Sequence, residues 1–433
     1  MVWLVIKLLV VSAAVIYLAR EFFNIRDGSL RFAFAAVLSR FLSSAFHEYT
    51  YQPLMAGLSI NALLSIFVAG FGMCLIPKRY LLLRSIVPFY AFWMVILISG
   101  VINGQWIDLI NVATKWLFFL AVCVSLYDAL SRLPGELVLS SILKIYCLPL
   151  GLQFASVIAG YGKATEADGS ISFIGGYNHE AAFSMMLIGF IYLVIFIPRR
   201  AMPNQWLYLL VGLIGLLLAN YRTSIIAVLP CVAIYFYYLV TERLASRDKV
   251  VGFCVFLAVG ILAAMLLAGH VSERYADIST ALTELPQLWV EPRYYSITDQ
   301  QLFSARAYIW SQYISGFARF DLLHAVIGRG PEAWVTVFTK YAHNTYISYL
   351  YEYGWVGLFS FIFLTLSLFL SLVPGRTNRL KAALLSGLIG FLILNLATMP
   401  LWNIEGLIVF SVLVSVIFDY RRNYQMALLR SRI

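Results

Sequence analysis

His343 stands in Lys340-Tyr341-Ala342-His343-Asn344-Thr345-Tyr346, where a long polar stretch gives way to a long apolar one. An imidazole at such a junction borders water on one side and an apolar medium on the other. Near neutral pH it can act as a general base, with a wet interfacial side chain as the plain alternative. Arg222 lies in Ala219-Asn220-Tyr221-Arg222-Thr223-Ser224, between two apolar runs with almost no polar spacer. A guanidinium there is costly and so a functional candidate, and its planar fork suits bidentate contact with phosphate. Arg293 and Arg306 belong to the polar stretch and could fold back over the same place. Asn178-His179-Glu180 heads another apolar run, where the unpaired amides of a helix N-terminus favour an anion. Glu352 follows His343 by about two and a half helical turns, so it is expected on the opposite face and not as its partner. Glu405 is expected to approach the same pocket from the last apolar run, and Lys115 to face the interior of whatever packs around it.

The sequence also narrows the chemistry by what it lacks. No two of His47, His179, His270, His324 and His343 have metal-ligand spacing. There is no Gly-rich phosphate loop, no Asp-x-Asp pair and no His-Glu-x-x-His. No metal site and no cofactor are therefore expected. The five cysteines, all inside apolar runs, argue against a disulfide framework.

The elements that must position these residues are membrane helices. The chain has 433 residues, of which 62% are hydrophobic and 12% charged. Its mean hydropathy is +0.85, whereas soluble domains carry about 25% charged residues. The fold class is therefore all-α, a polytopic transmembrane helical bundle. Runs long enough to cross, about 20 residues each, are 2–19, 53–76, 82–103, 107–127, 137–160, 179–197, 205–219, 223–241, 250–269, 344–373, 381–398 and 402–419. A thirteenth, 30–47, is weaker because Arg31 and Arg40 lie within it. The run 344–373 is too long for one untilted crossing and is expected either to lay its first turns in the interface or to bend at Gly354 and Gly357.

The net charge of +10 reads as loop asymmetry, with no nucleic-acid partner. Basic joints at Lys78-Arg79, Arg132, Arg199-Arg200, Arg243 to Lys249, Arg376 to Lys381 and Arg421 to Arg432 alternate with the other joints. That pattern makes theirs the cytoplasmic side. The outer side then holds Arg222, all five histidines and residues 270–343, a long loop too aromatic to be a disordered linker. That loop is expected to be partly helical, with a helix starting near Ser304, after Pro286 and Pro292 have broken any helix upstream. Three regions follow: transmembrane helices over 1–269, the outer loop over 270–343, and C-terminal helices with a short cytoplasmic tail over 344–433.

Taken together, these residues resemble the O-antigen ligase and polymerase superfamily of bacterial envelope glycosyltransferases. The resemblance rests on His343-Asn344, nine residues, then Gly354-Trp355-Val356-Gly357, following a large loop and opening a span. It is supported by Tyr221-Arg222-Thr223-Ser224, by Arg306-x-x-x-Trp310 ahead of Gly328-Arg329-Gly330, and by Gly175-Gly176-Tyr177-Asn178. It covers roughly residues 160 to 420. The chain departs from the ligase pattern after Gly357, where Leu358-Phe359-Ser360 replaces small hydroxylated residues.

The resemblance implies an enzyme of the bacterial inner membrane with its active site facing the periplasm. It would move a glycan from undecaprenyl diphosphate to an acceptor hydroxyl without a metal. His343 would be the base, Arg222 and Arg306 would hold the diphosphate, and Asn344, Arg293 and Asn178 would give support. With lipid A-core as acceptor the enzyme is an O-antigen ligase; with another glycan it is an O-antigen or exopolysaccharide polymerase. Two readings from outside the superfamily stand beside it. A peptidoglycan polymerase would need a catalytic acid among Asp277, Glu284, Glu291 and Asp299. A transporter would show paired halves with helices broken at the midplane, and the sequence has no such halves.

Overall fold

A computed structural model describes residues 2–55, 57–164, 171–254, 257, 291–296, 300 and 305–431. The expected run 250–269 lies largely outside the described residues, as do Ser304, Pro286, His270, Asp277, Glu284 and Asp299. The architecture is nearly all helix: α1 Val2–Asn24, α2 Gly28–Ala45, α3 Ile60–Leu75, α4 Val87–Ile102, α5 Trp106–Arg132, α6 Gly135–Ile145 and α7 Cys147–Ile158 come first. They are followed by α8 Glu180–Phe196, α9 Gln205–Ala219, α10 Arg222–Arg243, α11 Arg306–Ala318, α12 Leu322–Ile327, α13 Thr345–Leu372, α14 Arg379–Ala397 and α15 Ile404–Arg430. Pro53–Met55 pairs antiparallel with Leu58–Ser59, and Lys163–Ala164 with Ile171–Ser172.

Among the described residues seven helical stretches are long and apolar enough to cross a membrane, with α6 and α7 counting together as one, and Ile60–Leu75, Glu180–Phe196 and Gln205–Ala219 are shorter apolar helices. Most expected runs match these helices to within a few residues. The expected run 53–76 gives its first residues to a small hairpin, and 137–160 is two helices, α6 and α7.

The centre of the bundle is α8 and α15. Every residue of α8 except Ala182 is buried, as is the whole stretch Ile404–Phe418 of α15. Helices apolar on all sides must be covered on all sides, by protein or by lipid. The outer helices α1, α3 and α9 do present apolar side chains outward, among them Ile16, Phe67, Phe71 and Leu207. Between apolar helices in lipid the driving force is close packing, which favours small residues at contacts. A Cβ on Gly390 of α14 would lie 2.0 Å from Ala227 O of α10, so these two helices approach as closely as they do only because Gly390 has no side chain.

The bundle has two chemically different ends. At one, Arg132 pairs with Asp27 at 2.8 Å and Asp128 at 2.6 Å. There, too, Arg379 donates to Gln205, Arg421 to Ser371, and Arg422 to Leu130 O. The N-terminus of α5, roughly 40 Å away at 1.5 Å per residue, reaches the other end, where Asn103 donates to Gly328 O at 3.2 Å.

Helix α2 runs from one end to the other. Its Ser29 donates to Asp128 at 2.6 Å, and its Arg40 pairs with Glu405 at 2.9 Å, both groups being buried. Ser44 donates to the same carboxylate at 2.7 Å. So Arg40, which weakens 30–47 as an apolar run, is neutralised inside the bundle. Glu405 is committed to Arg40 and does not open towards His343.

Candidate functional site

The end opposite the Arg132 cluster is assembled from helix N-termini and from one loop locked into a broken helix. Helix α13 is interrupted at Gly354, whose backbone angles are φ 65 and ψ −165. The break frees carbonyls that would otherwise stay within the helix. Tyr351 O accepts from Arg329 N at 3.2 Å, and Glu352 O from Gly330 N at 2.8 Å and from Ser99 Oγ at 3.1 Å. Only glycines fit this crossing: a Cβ on Gly328 would lie 2.2 Å from Glu352 C, and one on Gly354 2.4 Å from Val326 C. The bend expected at Gly354 and Gly357 is therefore present at Gly354. Gly328-Arg329-Gly330 and Gly354 form one interlocked feature, although they are distant in sequence.

This lock fixes the short first half of α13, and with it the residues at its start. Asn344 is the N-cap: its Oδ1 accepts from Tyr346 N at 2.9 Å and Ile347 N at 3.1 Å, while its Nδ2 donates to Leu396 O at the end of α14. His343 precedes it with φ 51, in the left-handed region, which non-glycine residues adopt rarely and often at functional sites. Four non-glycine residues with positive φ occur among those described: Asn220, Ala305, Glu332 and His343. The first lies two residues before Arg222 and the second directly before Arg306.

The His343 ring packs on Tyr341, centroids 3.9 Å apart, and Tyr341 stacks in turn on Trp402 at 5.3 Å. Trp310 donates to Ala342 O at 2.9 Å and Tyr313 to Lys340 O at 3.2 Å, pinning this strand of chain to α11. Burial is the main cause that holds the His343 imidazole well below its ordinary value, at about 4; the charges of Arg306, His179 and Lys340 add to it. At neutral pH the ring is uncharged. Burial likewise pushes the Tyr341 phenol up to about 12, with Tyr221 and Glu180 adding and Arg306 opposing. Tyr341 and His343 thus lie within electrostatic reach of Arg306, Tyr221, His179 and Glu180, groups from three separate helix N-termini.

Arg306 is the first residue of α11, half-buried, and makes no hydrogen bond or ion pair among the described residues. Arg222, likewise half-buried and without such a partner among them, is the first residue of α10, directly after Tyr221. Helices α10 and α14 are antiparallel, since Ala227 meets Gly390 and Cys231 donates to Ala383 O. Counting back from Ala227 to Arg222 therefore reaches the level of Asn395, next to the Leu396 carbonyl that Asn344 holds.

The remaining expected residues separate. Asn178 is exposed, with its carbonyl accepting from Lys163. It lines a side cavity of about 290 Å³ with His47, Lys163 and Tyr177. Its neighbour His179 is the residue brought near His343. It caps α8 by accepting from Ala181 N at 3.1 Å, its ring lies 3.9 Å from the Glu180 carboxylate, and desolvation lowers its pKa while Glu180 opposes. Arg293 is exposed and pairs with Glu291 at 2.9 Å, and nothing brings it to His343. A larger cavity, about 850 Å³ and lined by Arg26, Asp27, Phe67, Phe71, Asp128 and Arg132, lies at the far end. Among the described residues no group of three His, Cys, Asp or Glu side chains could hold a metal ion.

Sequence reasoning missed Glu332. It is buried just after Gly328-Arg329-Gly330-Pro331, with φ 57. Its carboxylate accepts from Trp402 Nε1 at 2.6 Å and Trp334 Nε1 at 3.1 Å, and lies 3.4 Å from Lys115 Nζ. Lys115 faces inward as expected. The only signal in the sequence was an acidic residue following a glycine-rich turn, and that says nothing of burial.

A nearly all-helical, strongly apolar bundle of this kind is a multi-pass membrane protein, and one of its ends gathers His343 with two arginines that have no anionic partner among the described residues. Residues 207–362 match the O-antigen ligase family, which places that segment in the O-antigen ligase and polymerase superfamily of membrane glycosyltransferases. The matched segment is narrower than the stretch of resemblance above. It contains Arg222, Arg306, His343 and the Gly354 break, but not Asn178, α14 or α15. A search of curated proteins finds no match.

Proposed function

We propose that this chain is a metal-independent glycosyltransferase of the bacterial inner membrane. It would take a glycan from undecaprenyl diphosphate and pass it to an acceptor hydroxyl on the periplasmic side, acting as an O-antigen ligase on lipid A-core. The observation that carries this reading is the pairing of an uncharged His343 with two half-buried arginines that have no anionic partner among the described residues. Cations drawn partly out of water are normally paired, so two without an anionic partner among the described residues fit an anion brought by the substrate.

In this reading the acceptor oxygen attacks the anomeric carbon, His343 takes the proton of that hydroxyl, and the bond to the diphosphate oxygen breaks. Arg222 and Arg306 stabilise the charge that develops on the leaving diphosphate. Asn344 serves as support by fixing the backbone beside His343. The twelve or thirteen crossings read from the sequence, with the Arg132 end in the cytoplasm, put His343 outside, where the donor must carry its own leaving group. The position of α2 favours thirteen crossings and an outer N-terminus. An O-antigen or exopolysaccharide polymerase is the second reading, favoured by Leu358-Phe359-Ser360 after Gly357. Supplying purified protein with undecaprenyl-diphosphate-linked glycan, with and without lipid A-core, separates the two. A ligase forms product on the core; a polymerase lengthens the lipid-linked chain without it.

A further inference from the structure

We infer that Glu332 is a positioning residue for His343, acting through a clamp of two indoles and one tyrosine; the inference rests on the reading of His343 as the base. The Glu332 carboxylate joins three parts of the chain that are far apart in sequence. It accepts from Trp334 of its own loop and Trp402 before α15, and sits against Lys115 of α5. Its backbone N–H donates to Glu352 Oε2 of α13 at 3.2 Å, and Ser348 holds the other oxygen of Glu352 at 2.6 Å.

The two indoles that Glu332 holds form the support on which Tyr341 rests. Trp402 stacks on Tyr341 at 5.3 Å, Trp334 meets it edge-on at 6.0 Å, and the His343 ring packs on it at 3.9 Å. Lys115 reinforces the support, its ammonium lying 5.0 Å from the Trp402 ring centroid. A stacked aromatic pair has no directional bond to set its register, so register must come from the polar edge of each ring. Both indole edges here end on one carboxylate. A carboxylate offers acceptor sites to both N–H groups and to Lys115, whereas a carboxamide offers one oxygen and turns an NH₂ towards a donor. Glu332→Gln should therefore release one indole, remove the carboxylate that Lys115 pairs with at 3.4 Å, and let Tyr341 and His343 drift.

The test uses the full-length protein in nanodiscs with [13Cε1]-histidine, the His343 resonance being assigned by its loss in His343→Asn. The Tyr341 ring shifts that resonance through its ring current, independently of any activity. The second readout is transfer from undecaprenyl-diphosphate-linked glycan to lipid A-core. For Glu332→Gln the His343 resonance should move and kcat fall by about tenfold to a hundredfold, the scale of an ångström misplacement, while KM for the donor changes much less. Trp402→Phe, which keeps an aromatic ring beside Tyr341 but removes the indole N–H together with its pyrrole ring, should show the same pattern and guards against a Glu332 variant that fails to fold. Glu332→Asp should recover part of both readouts. An unmoved His343 resonance in both Glu332→Gln and Trp402→Phe overturns the clamp. A moved resonance with unchanged kcat overturns the base assignment of His343 and leaves the clamp standing.

Discussion

Replacing Arg306 with glutamine should raise the basicity of His343, and the size of the effect follows from where the two groups sit. Burial is the larger cause that brings His343 from 6.5 to about 4, and Arg306 is the next. Since burial outweighs it, Arg306 accounts for less than half of that fall, roughly 1 on the pKa scale or about 1.4 kcal/mol. The charge of Arg306 disfavours a second positive charge, so its removal raises the pKa by about that much or less. A bound diphosphate would act in the same direction by cancelling the arginine charges, so His343 becomes a better base when the donor arrives. The assay is a pH titration of the [13Cε1]-His343 resonance in wild type, in Arg306→Gln, and in wild type with pyrophosphate. In the wild-type enzyme the acid limb of kcat, which reports the substrate complex, should lie at higher pH than that of kcat/KM, which reports the free enzyme. A His343 titration that is unmoved by both Arg306→Gln and pyrophosphate would refute the electrostatic link between them.

Three further outcomes follow from the packing and the site. Removing one partner of the buried Arg40–Glu405 pair, as in Glu405→Gln or Arg40→Met, should destabilise by about 3–5 kcal/mol, read as a lowered unfolding midpoint in detergent; the double variant Arg40→Met with Glu405→Leu should recover much of the loss. Gly354→Ala combines a positive φ with a Cβ 2.4 Å from Val326 C and should cost about 2 kcal/mol or more. Limited proteolysis of the 319–344 segment would detect it, and wild-type resistance would count against the interlocked loop. Arg222→Lys keeps the charge and loses the fork, so it should raise the donor KM, while membrane insertion of Arg222→Lys and Arg222→Gln should be unaffected; steady-state kinetics and membrane fractionation check the two halves.

Helix positions were legible because apolar run length is a local property and survives folding. So was the convergence of Arg222, Arg306 and His343 at one end, because the alternation of basic joints fixes which end each helix start occupies. Partnerships between distant residues were not legible. Arg40 counts against its helix and Glu405 points to the site only while each is considered alone; 365 positions apart, they cancel one another in the interior. Glu332 was invisible for the same reason, since its burial depends on Lys115, Trp402 and Glu352 arriving from three other elements. The case of Asn178 is different. The helix start it marks was rightly placed, but the cap that faces His343 is the next residue, His179, and helix boundaries are uncertain by about that much. Arg293 satisfies itself locally with Glu291, which no spacing in the polar stretch discloses.

The central claim, that His343 and the arginines beside it perform glycan transfer, is tested most directly in reconstituted protein. Wild type, His343→Ala and Arg222→Ala would each be given undecaprenyl-diphosphate-linked glycan and lipid A-core, with folding verified by thermal unfolding. Wild type should place glycan on the core, and both variants should be folded with no detectable transfer. Full transfer by folded His343→Ala would contradict the claim.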